Sequence, residues 1–179
     1  MRKVIIIIAV LALSTMASAQ GFKLGVAGNM VFPLSNDEFK AATNSTGYGV
    51  DAFGVFDLMA FTLTARVGYL DFGSKEAELA GQKYTTSIKA IPVMGGLRWD
   101  FGLPVGPSFY AGVEAGIHSF TTEVTYEGVS IPNTSESETK FALSPNVGLT
   151  LAGFDISAYY MYIQDASYWG LRLGWGIGI

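Results

Sequence analysis

The chain of 179 residues has no cysteine and only one histidine. Without thiols there is no disulfide framework, so an exported form must be held by a packed core or a closed hydrogen-bond network. A lone histidine among scattered carboxylates lacks metal-ligand spacing, and neither a metal nor any other cofactor is expected. Charge is also scarce, at 15% of residues, with 15 acidic groups against 11 basic ones, which argues against nucleic acid as a partner. After residue 19 no apolar run approaches the ~20 residues of a spanning helix, so any membrane crossing must be made by strands.

What is present begins with export. Arg2-Lys3, the apolar run Val4 to Leu13 and the small-residue segment Ala17-Ser18-Ala19 follow one another in the order of a secretory signal. Residues 1–19 are expected to be cleaved, leaving 20–179 as one domain. Two of the 11 basic residues, Arg2 and Lys3, lie in the signal; nine remain against 15 acidic ones, a formal net charge of −6.

Apolar residues recur at every second position through most of the remainder, the period of a strand with one greasy face. Eight strands are predicted, at about 22–31, 48–57, 61–70, 87–101, 109–120, 141–151, 154–162 and 169–179. The connections at 32–47, 72–84, 121–140 and 163–168 fall at one end. Those at the other end, 57–60, 100–108 and 152–154, are generally shorter. This is the asymmetry of outer-membrane barrels, with long outer loops and short periplasmic turns. The fold class is therefore all-β, an eight-stranded antiparallel up-and-down transmembrane barrel.

The greasy face is sorted by depth. Phe22, Phe56, Phe61, Trp99, Phe101, Phe109 and Phe154 lie at the short-turn end, and Tyr48, Tyr69, Phe141, Tyr160, Tyr162 and Trp169 at the other, with aliphatic residues and glycine between. A bilayer selects such girdles, because amphipathic rings sit at headgroup level. A soluble sandwich has no reason to sort its core in this way. The opposite face carries Lys23, Asp51, Arg66, Arg98, Glu114, His118, Asp155 and Arg172, a nearly balanced set that would pair inside a narrow lumen. A two-residue turn at Leu58-Met59 would set Phe56 against Phe61 and Asp51 against Arg66. Pro92 and Pro145 each remove a ladder donor, and a bulge or strand end is expected near them. The glycines of the last strand would permit either a tight bend or close packing around a bulky neighbour such as Phe53, Met94 or Tyr159.

With the segments Ile91-Pro92-Val93-Met94-Gly95-Gly96-Leu97-Arg98-Trp99 and Phe109-Tyr110-Ala111-Gly112-Val113-Glu114-Ala115-Gly116, the chain resembles the small outer-membrane β-barrel proteins, the outer-membrane-protein-A-like or outer membrane protein beta-barrel domain group. The resemblance covers the whole mature chain and rests on loose patterns. It implies a Gram-negative outer membrane, contact with lipid bilayer and lipopolysaccharide, insertion by the barrel-assembly machinery and a monomeric state. The family's usual last strand ends in an aromatic residue, whereas this one reads Trp175-Gly176-Ile177-Gly178-Ile179. The wall-anchoring role of two-domain relatives is not expected.

The leading function is non-enzymatic: a barrel that supports envelope integrity or binds a surface ligand through its outer loops. A lipid-A-modifying enzyme is the second reading, because His118-Ser119 lies near Glu114 and Glu123. Neighbouring strand residues face opposite ways, so that nucleophile and base would not meet, and no catalytic residue is assigned. A soluble lipocalin-like carrier is the third. Gly174-x-Gly176-x-Gly178 reads as strand positions and not as a nucleotide loop, and the acidic segments Asp37-Glu38 and Ser135 to Thr139 read as solvated loop tips.

Overall fold

The computed structural model describes residues 21–34, 43, 45–58, 61–79, 82–102, 106–126, 129–130, 136–164 and 166–178. Among them are nine strands and no helix: β1 (Phe22–Pro33), β2 (Gly47–Asp57), β3 (Thr62–Leu79), β4 (Gln82–Gly102), β5 (Ser108–Tyr126), the two-residue β6 (Val129–Ser130), β7 (Glu136–Leu151), β8 (Phe154–Ile163) and β9 (Ala166–Gly178). Each wall strand pairs antiparallel with its sequence neighbour, and β1 also pairs with β9, from Lys23 opposite Gly178 to Pro33 opposite Tyr168. Eight strands thus close into a barrel, while β6 adds only to the tip of β5. Closure removes the unpaired backbone edge that hydrocarbon does not tolerate.

The period of two sets the faces. Along β8, Phe154 and Ile156 are exposed while Asp155, Ser157 and Tyr159 are buried. The same alternation puts Val26, Val50, Val67, Val93, Ile117, Val147 and Leu171 on the outer surface, each more than a third exposed. In water so continuous an apolar belt would be untenable, whereas in a bilayer it is the solvent-matched surface.

The β2–β3 register differs from expectation. Asp57 pairs with Thr62, Phe56 with Leu63, and Asp51 with Gly68, so Phe56 does not oppose Phe61, nor Asp51 Arg66. The connection is four residues, 58–61, closed by the Leu58 N–H donating to the Phe61 carbonyl at 2.9 Å. A shift of two residues leaves every side chain on its predicted face, which is why alternation alone could not detect it.

Two expected loops are largely strand. β3, β4 and β5 run for 18, 21 and 19 residues, against 10 for β8, and carry the wall through much of 72–84 and 121–140. At a rise of ~3.3 Å per residue, the 11-residue difference between β4 and β8 is roughly 35 Å measured along the strand. The sequences there, including Ser74, Lys75, Thr85, Thr86, Thr121 and Thr122, are polar on both faces, so apolar alternation gave no signal. A bulge between Asp71 and Ser74, with Gly73 at φ 78°, marks where this overhang departs from the barrel.

Neither proline requires a bulge or a strand end. Pro92 pairs with His118 on β5, and Pro145 with Val113 on the same strand. On their other sides the ladders skip two residues: β3–β4 passes from Val67–Val93 to Leu70–Ala90, and β7–β8 from Leu143–Tyr162 to Asn146–Tyr159, without change of register. Each missing N–H therefore coincides with a short gap in one ladder.

Candidate functional site

The lumen holds the densest chemistry of the molecule. Three arginines enter it from separate strands, Arg66 on β3, Arg98 on β4 and Arg172 on β9. Arg66 Nε donates to Glu114 at 2.7 Å, and its Nη1 lies 3.9 Å from Asp51. Arg172 reaches Asp51 through Nη2 and Asp155 through Nη1, both at 3.2 Å. Arg98 continues the chain to Asp155 at 3.3 Å and to Asp100 at 3.1 Å. Neutral groups complete it: Asn29 donates to Asp51 at 2.7 Å, and the Tyr110 hydroxyl to Asp155 at 2.9 Å. Carboxylates with several donors and little water are the environment in which charge-assisted hydrogen bonds are strong.

Each guanidinium also lies over a ring. Arg66 is 5.1 Å from the Tyr159 centroid, Arg98 is 4.5 Å from Tyr110, and Arg172 is 4.3 Å from Phe53. These rings need room, and glycines opposite them supply it. Tyr159 pairs across the ladder with Gly170, Tyr110 with Gly148, and Phe53 with Gly25. A Cβ at Gly170 would collide with the Tyr159 ring and one at Gly148 with Tyr110, so any larger residue at either position would have to displace a buried ring. The inward glycines of the last strand are thus explained by packing, with Gly174 and Gly176 against Phe53.

Two residues expected in the charge network stand outside it. Lys23 faces the lumen near the short-turn mouth, with no ion pair among the described residues, and lines a cavity of about 210 Å³ there with Arg98, Asp155 and Ser108. His118 is fully buried higher up, its Nε2 2.9 Å from the Tyr168 hydroxyl and its Nδ1 without a partner. Around it lies a second layer made of rings and aliphatic side chains: Phe72, Phe120, Tyr159, Met161, Ile163 and Tyr168. Phe72 and Tyr168 meet edge to face at 5.4 Å, Phe72 and Phe120 at 6.3 Å, and His118 and Phe120 at 5.8 Å. The inward parity of Phe72, Phe120, Met161 and Ile163 continues the strand alternation past the girdle positions. For Phe72 and Ile163 that parity lay in segments read as loops, whereas Phe120 and Met161 fell inside predicted strands. Asp100, Asn29 and Tyr110 were also missed: Asp100 pairs with Arg98 only two residues away, whereas Asn29 meets Asp51 and Tyr159 over 22 and 130 residues and Tyr110 meets Asp155 over 45, separations that leave no local signature.

Ser119 faces outward, its Oγ 3.0 Å from Thr139 Oγ1, while His118 faces inward, so the two do not form a nucleophile–base pair. Above the apolar belt Lys89 Nζ donates to Glu123 at 3.0 Å, and this hydrogen bond and the carboxylate charge push the Lys89 pKa up. The girdle residues occupy outer positions. Phe101, Phe109 and Phe154 at the short-turn end and Tyr48, Phe141, Tyr162 and Trp169 at the other are at least half exposed. Phe61, Tyr69 and Trp99 are less so, Phe22, Phe56 and Tyr160 are half-buried, and Tyr160 packs at a tilt against Trp169, ring centroids 5.1 Å apart. Trp175, not among the predicted girdle, is exposed beside Phe154, its partner across the ladder.

A model of the outer membrane protein beta-barrel domain matches residues 5–178. The chain belongs to that family. It is accordingly an outer-membrane protein of Gram-negative type, which removes the soluble carrier reading. Among solved structures, Neisserial surface protein A superposes with a TM-score of 0.62 at 11% identity, covering 89% of this chain and 97% of that one. Ail, the attachment invasion locus protein of Yersinia pestis, gives 0.57 at 18% identity, covering 88% and 98%. At such identities the likeness is one of fold. No curated protein is similar enough in sequence to match it.

Proposed function

We propose that this outer-membrane barrel is a non-enzymatic surface protein that binds a partner through the strand overhang on its outer side. The carrying observation is the length of β3, β4 and β5, which raises a hydrogen-bonded sheet of hydroxyl and charged residues well above the aromatic positions that would mark the headgroup level. Ordered strands present side chains at fixed spacing, with less entropy to lose on binding than a free loop. The bonding of His118 to the Tyr168 hydroxyl and of Ser119 to Thr139 supports the non-enzymatic reading, as does the occupation of the lumen by ion pairs. Ail of Yersinia pestis has been solved with the heparin analogue sucrose octasulfate, with a TM-score of 0.52 to this chain at 19% identity. Here segments 71–89 and 119–140 carry seven carboxylates and four lysines, a balance that favours a partner with basic groups over a sulfated polysaccharide.

The test compares cells displaying the full chain with cells displaying a chain in which residues 74–87 are replaced by a tight turn. Adhesion is scored on surfaces coated with extracellular-matrix protein and with heparin. Loss of matrix binding in the trimmed chain, with the barrel still heat-modifiable on gels, is the expected result. Equal binding by both chains, or none by the full chain, would sink the reading.

A further inference from the structure

The lumen is built in two layers of different chemistry, and only one of them excludes water. The lower layer is polar and imperfectly filled: a cavity of about 30 Å³ is bounded by Arg66, Arg172, Glu114 and Tyr110. That space is enough for about two waters, since one occupies ~10–15 Å³ by this measure, and its lining is polar enough to hold them. Phe53, Val55, Arg98 and Asp155 line both this cavity and the 210 Å³ cavity at the short-turn mouth, so the two adjoin. Phe72, Phe120, Met161 and Tyr168 line neither.

Above the ion pairs the arrangement changes. Tyr168 from β9, Phe72 from β3, and Phe120 and His118 from β5 form a closed circuit of contacts: 5.4, 6.3 and 5.8 Å between successive rings, then 2.9 Å from His118 Nε2 back to the Tyr168 hydroxyl. Three strands spaced around the wall thus meet in the middle of the bore. Phe72, His118 and Tyr168 have no exposed surface. A constriction of this kind stops ions by dewetting, a barrier that does not depend on any salt bridge.

We propose that this aromatic plug, and not the salt-bridge layer, is the permeability seal of the barrel, and that water enters from the periplasmic mouth as far as the arginines and stops there. The inference is independent of the surface-binding reading, since it concerns the lumen alone.

The experiment is single-channel recording in planar bilayers, with each protein first shown to migrate as a folded, heat-modifiable barrel. Wild type and Arg66→Met should be silent, whereas Phe72→Ala combined with Phe120→Ala should give discrete openings. Conductance by wild type, or by Arg66→Met, would place the seal in the ion pairs or nowhere. A folded double plug variant that stays silent would equally overturn the proposal. Should that variant not fold, proton exchange in the wild-type protein decides: Arg98 Hε should exchange with water at least tenfold faster than the Tyr168 hydroxyl proton, and the reverse order or equal rates would refute the seal's position.

Discussion

The salt-bridge layer and the aromatic plug fill the same bore a few residues apart along the same strands, yet they hold the barrel by opposite means. Arg66, Arg98 and Arg172 satisfy Glu114, Asp51, Asp155 and Asp100 through directional contacts of 2.7 to 3.3 Å, with only the Arg66–Asp51 pair looser, at 3.9 Å. Phe72, Phe120, Met161 and Tyr168 rely on contact area and shape. A buried charge without its partner is strongly unfavourable even where a water or two reaches it, whereas a missing methylene leaves a void of limited cost. The lower layer should therefore be intolerant of single changes but forgiving of matched ones. The upper layer should respond in proportion to volume removed.

The largest effect is expected at Arg172, which bridges two carboxylates. Arg172→Met should lower stability by about 3 to 5 kcal/mol in urea unfolding from lipid vesicles, because Asp51 and Asp155 lose a shared cation at once. A loss below ~1 kcal/mol would mean that the water reaching this layer screens its charges almost completely, and the contrast with the plug would be weaker than drawn.

The next test asks for coupling. Arg66 and Glu114 are joined at 2.7 Å, so Arg66→Met with Glu114→Leu should recover part of what either single change loses, giving an interaction energy of about 1 to 3 kcal/mol in a double-mutant cycle. The same cycle on Arg66 and Asp51 should give less, since they are 3.9 Å apart and Asp51 keeps Arg172 and Asn29. Equal couplings would show that the layer acts as one diffuse cloud of charge.

In the plug, Tyr168→Phe removes a hydroxyl without emptying volume. It leaves His118 Nε2 as well as Nδ1 unpartnered, at a cost of about 1 to 3 kcal/mol. No measurable change would indicate that the layer is held by shape alone, which would sharpen the comparison.

The smallest effect lies outside both layers, at the β7–β8 hairpin, where Leu151 pairs with Phe154 and both turn residues have positive φ, 50° at Ala152 and 87° at Gly153. A two-residue turn of this kind suits asparagine or glycine at its first position. Ala152→Gly should be neutral to stabilising, by up to about 1 kcal/mol, as relief of strain outweighs the greater freedom of the unfolded chain. Destabilisation would indicate that the Ala152 methyl makes a contact worth more than the strain.

How much of this was legible in the sequence differs between wall and bore. Side-chain direction along a strand repeats every two residues, so the alternation of Val26 to Met30 or Trp169 to Ile177 fixed which residues face lipid and which face inward, and that assignment survived even the two-residue error in the β2–β3 register. The inward charges Asp51, Arg66, Arg98, Glu114, Asp155 and Arg172 were readable for the same reason. Their partners were not. Across a closed barrel the contacts depend on the register of every ladder at once. Arg172 therefore meets an aspartate 121 residues earlier, and Tyr159 bonds Asn29 over a separation of 130. Lys23 and His118 obeyed the same parity rule as the network residues but were placed outside it by depth alone, one at the mouth and one among the rings. An all-β chain with a lipid face and a lumen face could be read from the residues alone, because periodicity is a local property. The division of the lumen into two layers emerged from the folded barrel, because a bore is filled by residues that are neighbours in space and strangers in sequence.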